Sequence, residues 1–72
     1  MNPITDAELA QFQRFIFDEA GISLSAAKKA LVMGRLGKRL THHHLESFGD
    51  YFRLLESGQH PDEVQTAVDL LT

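Results

Sequence analysis

A chain of 72 residues without a single cysteine has no covalent staple, so whatever it folds into must be held by its apolar stripes alone. At this size folding buries only about 60% of the surface that the unfolded chain exposes, which leaves a marginal core and no apolar period to spare. The missing thiols also exclude thiolate metal sites and structural disulfides, and fit the reducing cytoplasm expected as its compartment. No charged leader runs into an apolar stretch, and no apolar run approaches the roughly 18 residues of a membrane span, so a soluble chain without membrane insertion is expected.

The apolar residues recur at helical spacing throughout, and their punctuation predicts four helices. Thr5, with Glu8 three residues on, is a capping box, and Ile4 and Leu9 supply the matching hydrophobic staple. Leu9, Phe12, Ile16 and Ala20 then keep period, Phe15 and Phe17 widen the apolar face, and Gly21 is a left-handed stop. After an extended Ile22-Ser23-Leu24-Ser25 connector, Ser25 is the expected cap of a second helix running to about Leu40. Gly34 and Gly37 interrupt that helix at a cost of about 1 kcal/mol each relative to alanine; close helix approach and plain tolerance both account for them. A third helix is predicted from Ser47 to before Gly58, with Phe48, Tyr51, Phe52 and Leu55 on one face. Pro61 opens a fourth, Asp62 and Glu63 complement its dipole, and Val64, Ala67, Val68 and Leu71 keep period. Asp69-Leu70-Leu71-Thr72 offers neither a stop glycine nor a basic last turn, so further chain is expected after residue 72. With no alternating strand pattern and no repeat, the fold class is all-α, a small four-helix bundle, with Phe12, Ile16, Met33, Leu36, Phe52 and Leu55 expected in its core.

The formal net charge of −3 hides a sharp segregation. Lys28, Lys29, Arg35, Lys38 and Arg39, five of the seven basic residues, stand together with no acid between residues 20 and 40, while both flanks are acidic. At about 100° per residue, Lys28, Arg35 and Arg39 fall within roughly 40° of one another, and Ala26, Met33, Leu36 and Leu40 cluster near 120° away. The spacing therefore predicts one packed side and one exposed cationic side. Such a stripe is either a plain solvated face kept for solubility or, in an otherwise acidic chain, a surface that suits an acidic protein partner. DNA is disfavoured, because the acidic neighbours of the basic helix would oppose the duplex.

Catalytic constellations are missing. Ser23, Ser25, Ser47 and Ser57 fall at caps and ends rather than in a nucleophile elbow, and Gly34 and Gly37 lie inside a helix rather than in a phosphate loop after a strand. His42-His43-His44 is expected to be a solvated interhelical turn, since adjacent histidines point in different directions and His60 is the only other one. No metal site and no cofactor-binding residue is therefore assigned within these residues.

The order of motifs carries a family resemblance. Gly21-Ile22-Ser23-Leu24, then Lys28-Lys29, then Arg35-Leu36-Gly37-Lys38-Arg39-Leu40, then Phe48-Gly49-Asp50-Tyr51-Phe52-Arg53-Leu54-Leu55 resembles the N-terminal helical domain of CheR-type methyltransferases over nearly the whole chain. The resemblance implies a parent enzyme that moves a methyl group from S-adenosylmethionine to glutamates on the cytoplasmic helices of chemoreceptors. It implies that cofactor and chemistry sit in a catalytic domain after residue 72, so residues 1–72 form a single receptor-recognition domain that is not catalytic alone. Position by position, Lys28, Lys29, Arg35, Lys38 and Arg39 match the family's basic helix and take the role of receptor contacts, with Arg53 a further candidate. Its own catalytic domain and a regulatory adaptor are the other expected partners. The competing reading is a non-enzymatic helical module whose basic face docks such an adaptor.

Overall fold

The computed structural model describes residues 3–72, and among them there are four α-helices and no strand. Helix α1 spans Asp6–Ala20, α2 Lys29–His42, α3 Phe48–Glu56 and α4 Pro61–Leu71, with a short 3-10 turn over Ala26–Lys28 before α2. The all-α bundle expected from the spacing is thus the architecture found.

The local signals place the helix ends. Thr5 Oγ1 accepts from the Glu8 amide at 3.0 Å while Glu8 Oε1 accepts from the Thr5 amide at 2.9 Å, which completes the capping box. The same carboxylate works twice. Its Oε2 accepts from the Gly49 amide at 2.8 Å, so one side chain answers free amides at the starts of both α1 and α3. A Cβ at Gly49 would stand 2.8 Å from that oxygen, and the absence of a side chain there is what lets the carboxylate in. Ser47 caps α3 through the Asp50 amide, and Pro61 opens α4. Gly21 closes α1 in the left-handed conformation, at φ 67°.

Helix α2 departs from expectation at both ends. Ser25 makes no side-chain cap, and the 3-10 turn takes Ala26 out of phase with the helix, so Ala26 is exposed instead of packed. The packing side is Val32, Leu36 and Leu40, and Met33, about 60° around from Leu36, lies only half-buried at its edge. The helix runs on to His42 and closes in a Schellman motif, with the Leu45 amide bonding the Leu40 carbonyl at 2.8 Å and the His44 amide the Thr41 carbonyl at 3.2 Å. His44 holds the left-handed position usually given to glycine, at φ 58°.

The core is aromatic. Phe12 of α1 stacks on Phe52 of α3 with ring centroids 4.6 Å apart and planes 17° from parallel, and Phe48 and Tyr51 close round Phe52 at 6.2 and 6.1 Å. Ile4, Leu9, Ile16, Val32, Leu36, Leu40, Leu55 and Ala67 complete it, all buried. Phe17 is not part of this core. It stands 59% exposed, because a residue directly after Ile16 turns about 100° off the buried face.

Helix α4 adds one fully buried apolar residue, Ala67, with Val64, Val68, Leu70 and Leu71 half-buried against the core. It is also fixed by a buried charge. Glu63, 6% exposed, accepts Arg39 Nε at 2.8 Å and Tyr51 OH at 2.6 Å on Oε2, and Arg39 Nη2 at 2.6 Å and His43 Nε2 at 2.8 Å on Oε1. All four lone-pair sites of the carboxylate are filled, and because it only accepts, His43 carries its proton on Nε2. Glu63 was expected to complement the dipole of its helix and His43 to lie in a solvated turn; both are members of this cluster. Burial alone would push the Glu63 carboxyl up, but the hydrogen bonds from Arg39, Tyr51 and His43 outweigh it and bring it down to about 2. Burial raises the Tyr51 phenol well above its ordinary value, helped by its bond to the Glu63 anion. At the other end of α4 Arg35 Nη1 donates to the Leu70 carbonyl at 2.9 Å, supplying from α2 the basic partner that the last turn of α4 lacks.

Three outcomes follow from this packing. Phe52→Ala is expected to cost about 3 to 5 kcal/mol, enough to unfold most of the isolated domain in a circular-dichroism melt. His44→Gly removes the left-handed strain of a side chain and is expected to raise stability by about 1 kcal/mol in urea denaturation. The pH dependence has a definite sign. Glu63 titrates near 4.5 when unfolded and near 2 when folded, so its stabilisation is complete above about pH 5 and is lost as pH falls through 4.5 toward 2. Urea denaturation of Glu63→Gln at stepped pH should show a lower plateau and a much shallower decline over that window than the parent chain.

Candidate functional site

The cationic segment does not form one free face. Lys29 Nζ reaches Asp6 Oδ1 at 2.8 Å, tying the start of α2 to the start of α1, and its hydrogen bond and charge hold the Asp6 carboxyl below its ordinary value. Arg39 is drawn inward to Glu63, which raises its guanidinium pKa, and its side chain is 25% exposed. Arg35, one turn earlier on the same side, is exposed but directed along α4 to Leu70. The expectation that Lys28, Arg35 and Arg39 share one exposed face is therefore corrected at Arg39. Residues spaced by four fall on the same side of a helix, and here that side is the seam with α4.

Lys28 and Lys38 are what remains. Both are exposed, and among the described residues neither forms an ion pair. Arg35 is likewise paired with no acid, its partner being a neutral carbonyl. Arg53, the further candidate, pairs with Asp50 one turn away on α3. Apart from Arg14 on α1, the positive charge that no acid pairs among the described residues lies at Lys28, Arg35 and Lys38, on α2 and its entry turn. Beside it runs a shallow apolar groove along α2, lined by Ala30, Met33, Gly34, Gly37, Lys38 and Thr41. A separate depression on α1, lined by Ala7, Ala10, Gln11, Arg14, Phe15, Asp18, Glu19 and Glu56, is dominated by carboxylates.

The Arg39 and Glu63 cluster was not read from the sequence. Its one available signal was the spacing of Glu63, Ala67 and Leu70, which puts the acid on the packed side of α4 with two apolar residues. Among the described residues no group of three or more histidine, aspartate or glutamate side chains is disposed to hold a metal ion, and no helix is long and apolar enough to cross a membrane.

The family model described as CheR methyltransferase, all-alpha domain, matches residues 7–72. The chain is 40% identical over 70 residues to the chemotaxis protein methyltransferase of Klebsiella aerogenes, covering 97% of this chain and 24% of that protein. It is 39% identical over 69 residues to that of Escherichia coli, covering 96% and 24% of the two chains, and 36% identical over 69 residues to chemotaxis protein methyltransferase 1 of Vibrio cholerae, covering 96% and 25%. It spans about a quarter of the length of these curated relatives. No solved structure matches it. With that match running through all four helices, the chain belongs to the CheR methyltransferase all-alpha domain family.

Proposed function

We propose that this domain recognises the substrate for a chemoreceptor glutamate methyltransferase, in the cytoplasm, while the parent protein's catalytic domain carries S-adenosylmethionine and the methyl transfer. The observation that carries the reading is the set of exposed, uncompensated cations Lys28, Arg35 and Lys38 on one side of a chain whose net charge is −3. The relatives of this chain are chemotaxis methyltransferases, and a receptor segment offering glutamates on a helix supplies the opposite charge. Lys29 and Arg39 belong to the same basic helix but act chiefly through the fold, by holding α2 to α1 and to α4. Exposed pairs contribute roughly 0 to 1 kcal/mol each, so the encounter is transient and sensitive to salt. An enzyme that visits several glutamates needs that release.

The test reverses the two lysines that the fold does not use. Lys28→Glu with Lys38→Glu in the whole methyltransferase is expected to weaken receptor association about tenfold at low salt, leaving cofactor affinity and helical content unchanged. The difference should shrink toward physiological salt, where exposed charges are screened over about 8 Å. Parental association across the salt range would overturn this reading. Loss of cofactor binding would instead place the lysines at the interface with the catalytic domain.

A further inference from the structure

Helix α1 is apolar on two sides, and the bundle uses one of them. Leu9, Phe12 and Ile16 are buried against the other helices, whereas Ala7, Ala10 and Phe17 are exposed. A lone aromatic on a surface calls for no explanation. Phe17 is not alone. It is the one large apolar side chain that the fold leaves in water among the described residues, and seven residues on from Ala10 it lies about 20° from it on the same side of the helix. From Ala10 the apolar surface continues through Ala7 into the depression that the half-buried Phe15 also lines. The helix itself gains nothing from Phe17, since phenylalanine favours an exposed helical position less than glutamine or lysine does.

The rim of that depression has a sign. Asp18, Glu19 and Glu56 line it and form no ion pair among the described residues, and Arg14 is the one cation there. Glu56 accepts only the Gln11 amide, at 3.2 Å. Asp18 and Glu19 also stand in the last turn of α1, where the helix dipole disfavours acids. A surface that closes on this side must therefore be apolar at its centre and cationic at its edge.

The size of the patch decides among occupants. One phenylalanine and its small neighbours offer roughly a few hundred Å² of apolar surface, against about 800 Å² per partner in a stable complex of separate molecules. That is too little to hold a second copy or a free protein. It is enough for a tethered domain, which meets the patch at an effective concentration of about millimolar. The relatives of this chain supply one, since the matched stretch is 24% of the Klebsiella aerogenes and Escherichia coli proteins and the rest of each lies outside it.

Resting on the reading of this chain as one domain of a methyltransferase, we infer that the outer side of α1, anchored by Phe17, is the surface on which the parent protein's catalytic domain packs. The ring and the two alanines meet an apolar patch of that domain, and Asp18, Glu19 and Glu56 face its cations. Phe17 thus holds the two domains to each other and contributes nothing to the bundle itself.

The chain has no cysteine, so Ala10→Cys gives it a single reporter thiol, whose alkylation is followed by mass spectrometry in the 72-residue chain and in the whole methyltransferase. Alkylation is expected to be at least about tenfold slower in the whole protein, at every protein concentration. Adding Phe17→Gln should restore the fast rate there, while moving the melting temperature of the 72-residue chain by no more than about 3 °C. Equal rates in the two proteins would overturn the inference. So would protection that survives Phe17→Gln, since the ring would then anchor nothing. Protection that grows with protein concentration would give the face to a second copy, and protection that appears only with receptor present would give it to the receptor; either overturns the assignment. The receptor reading is judged separately, by Lys28→Glu with Lys38→Glu, so the domain contact can stand where that reading falls, and the reverse.

Discussion

A carboxylate that gives up water inside a protein persists as an anion only if its lone pairs are answered, and here that demand draws three other side chains to the first turn of α4. Arg39 and His43 come from α2 and its end, Tyr51 from α3. The last helix has one fully buried apolar residue, Ala67, and otherwise half-buried ones, so the charge cluster adds a directional hold to its packing. Such clusters bring less stability than their bond count suggests, because desolvation offsets much of the attraction. What they do bring is uniqueness. A greasy contact tolerates sliding, whereas the fork of a guanidinium on a carboxylate fixes both position and rotation.

The same demand divides the basic residues. Arg39 serves the interior seam, where a planar, weakly hydrated cation with several fixed donors can be partly desolvated and still satisfy Glu63. Arg35, exposed, bonds only the neutral Leu70 carbonyl, and Lys28 and Lys38 stay at the surface. The basic segment therefore performs two tasks, and a charge count alone would assign all of it to the partner.

What the sequence made legible was whatever is decided within one turn. The Thr5 and Glu8 box, the Ser47 cap, the Gly21 stop and the opening Pro61 each depend on neighbours three or four residues away, and each lies where spacing put it. The aromatic core was legible too, since Phe12, Phe48 and Phe52 occupy the centres of their apolar stripes. Contacts between distant segments were not. Arg39 and Glu63 are 24 residues apart and Glu8 and Gly49 are 41 apart; spacing could set Glu63 on the packed side of its helix, but nothing local says which residues pair. The 3-10 turn before α2 was hidden for a different reason. It takes the residues before the helix out of phase with it by a fraction of a turn, enough to expose Ala26.

Tyr51 is the only tyrosine of a chain that has no tryptophan, and its hydroxyl lies on Glu63. The ultraviolet emission of this domain therefore comes essentially from one ring, bonded to the very carboxylate that positions α4. Any event that loosens that helix, whether acid, denaturant or a neighbour pulling on its end, changes the surroundings of the sole fluorophore directly. The molecule carries its own optical gauge at the joint that matters most, without a label.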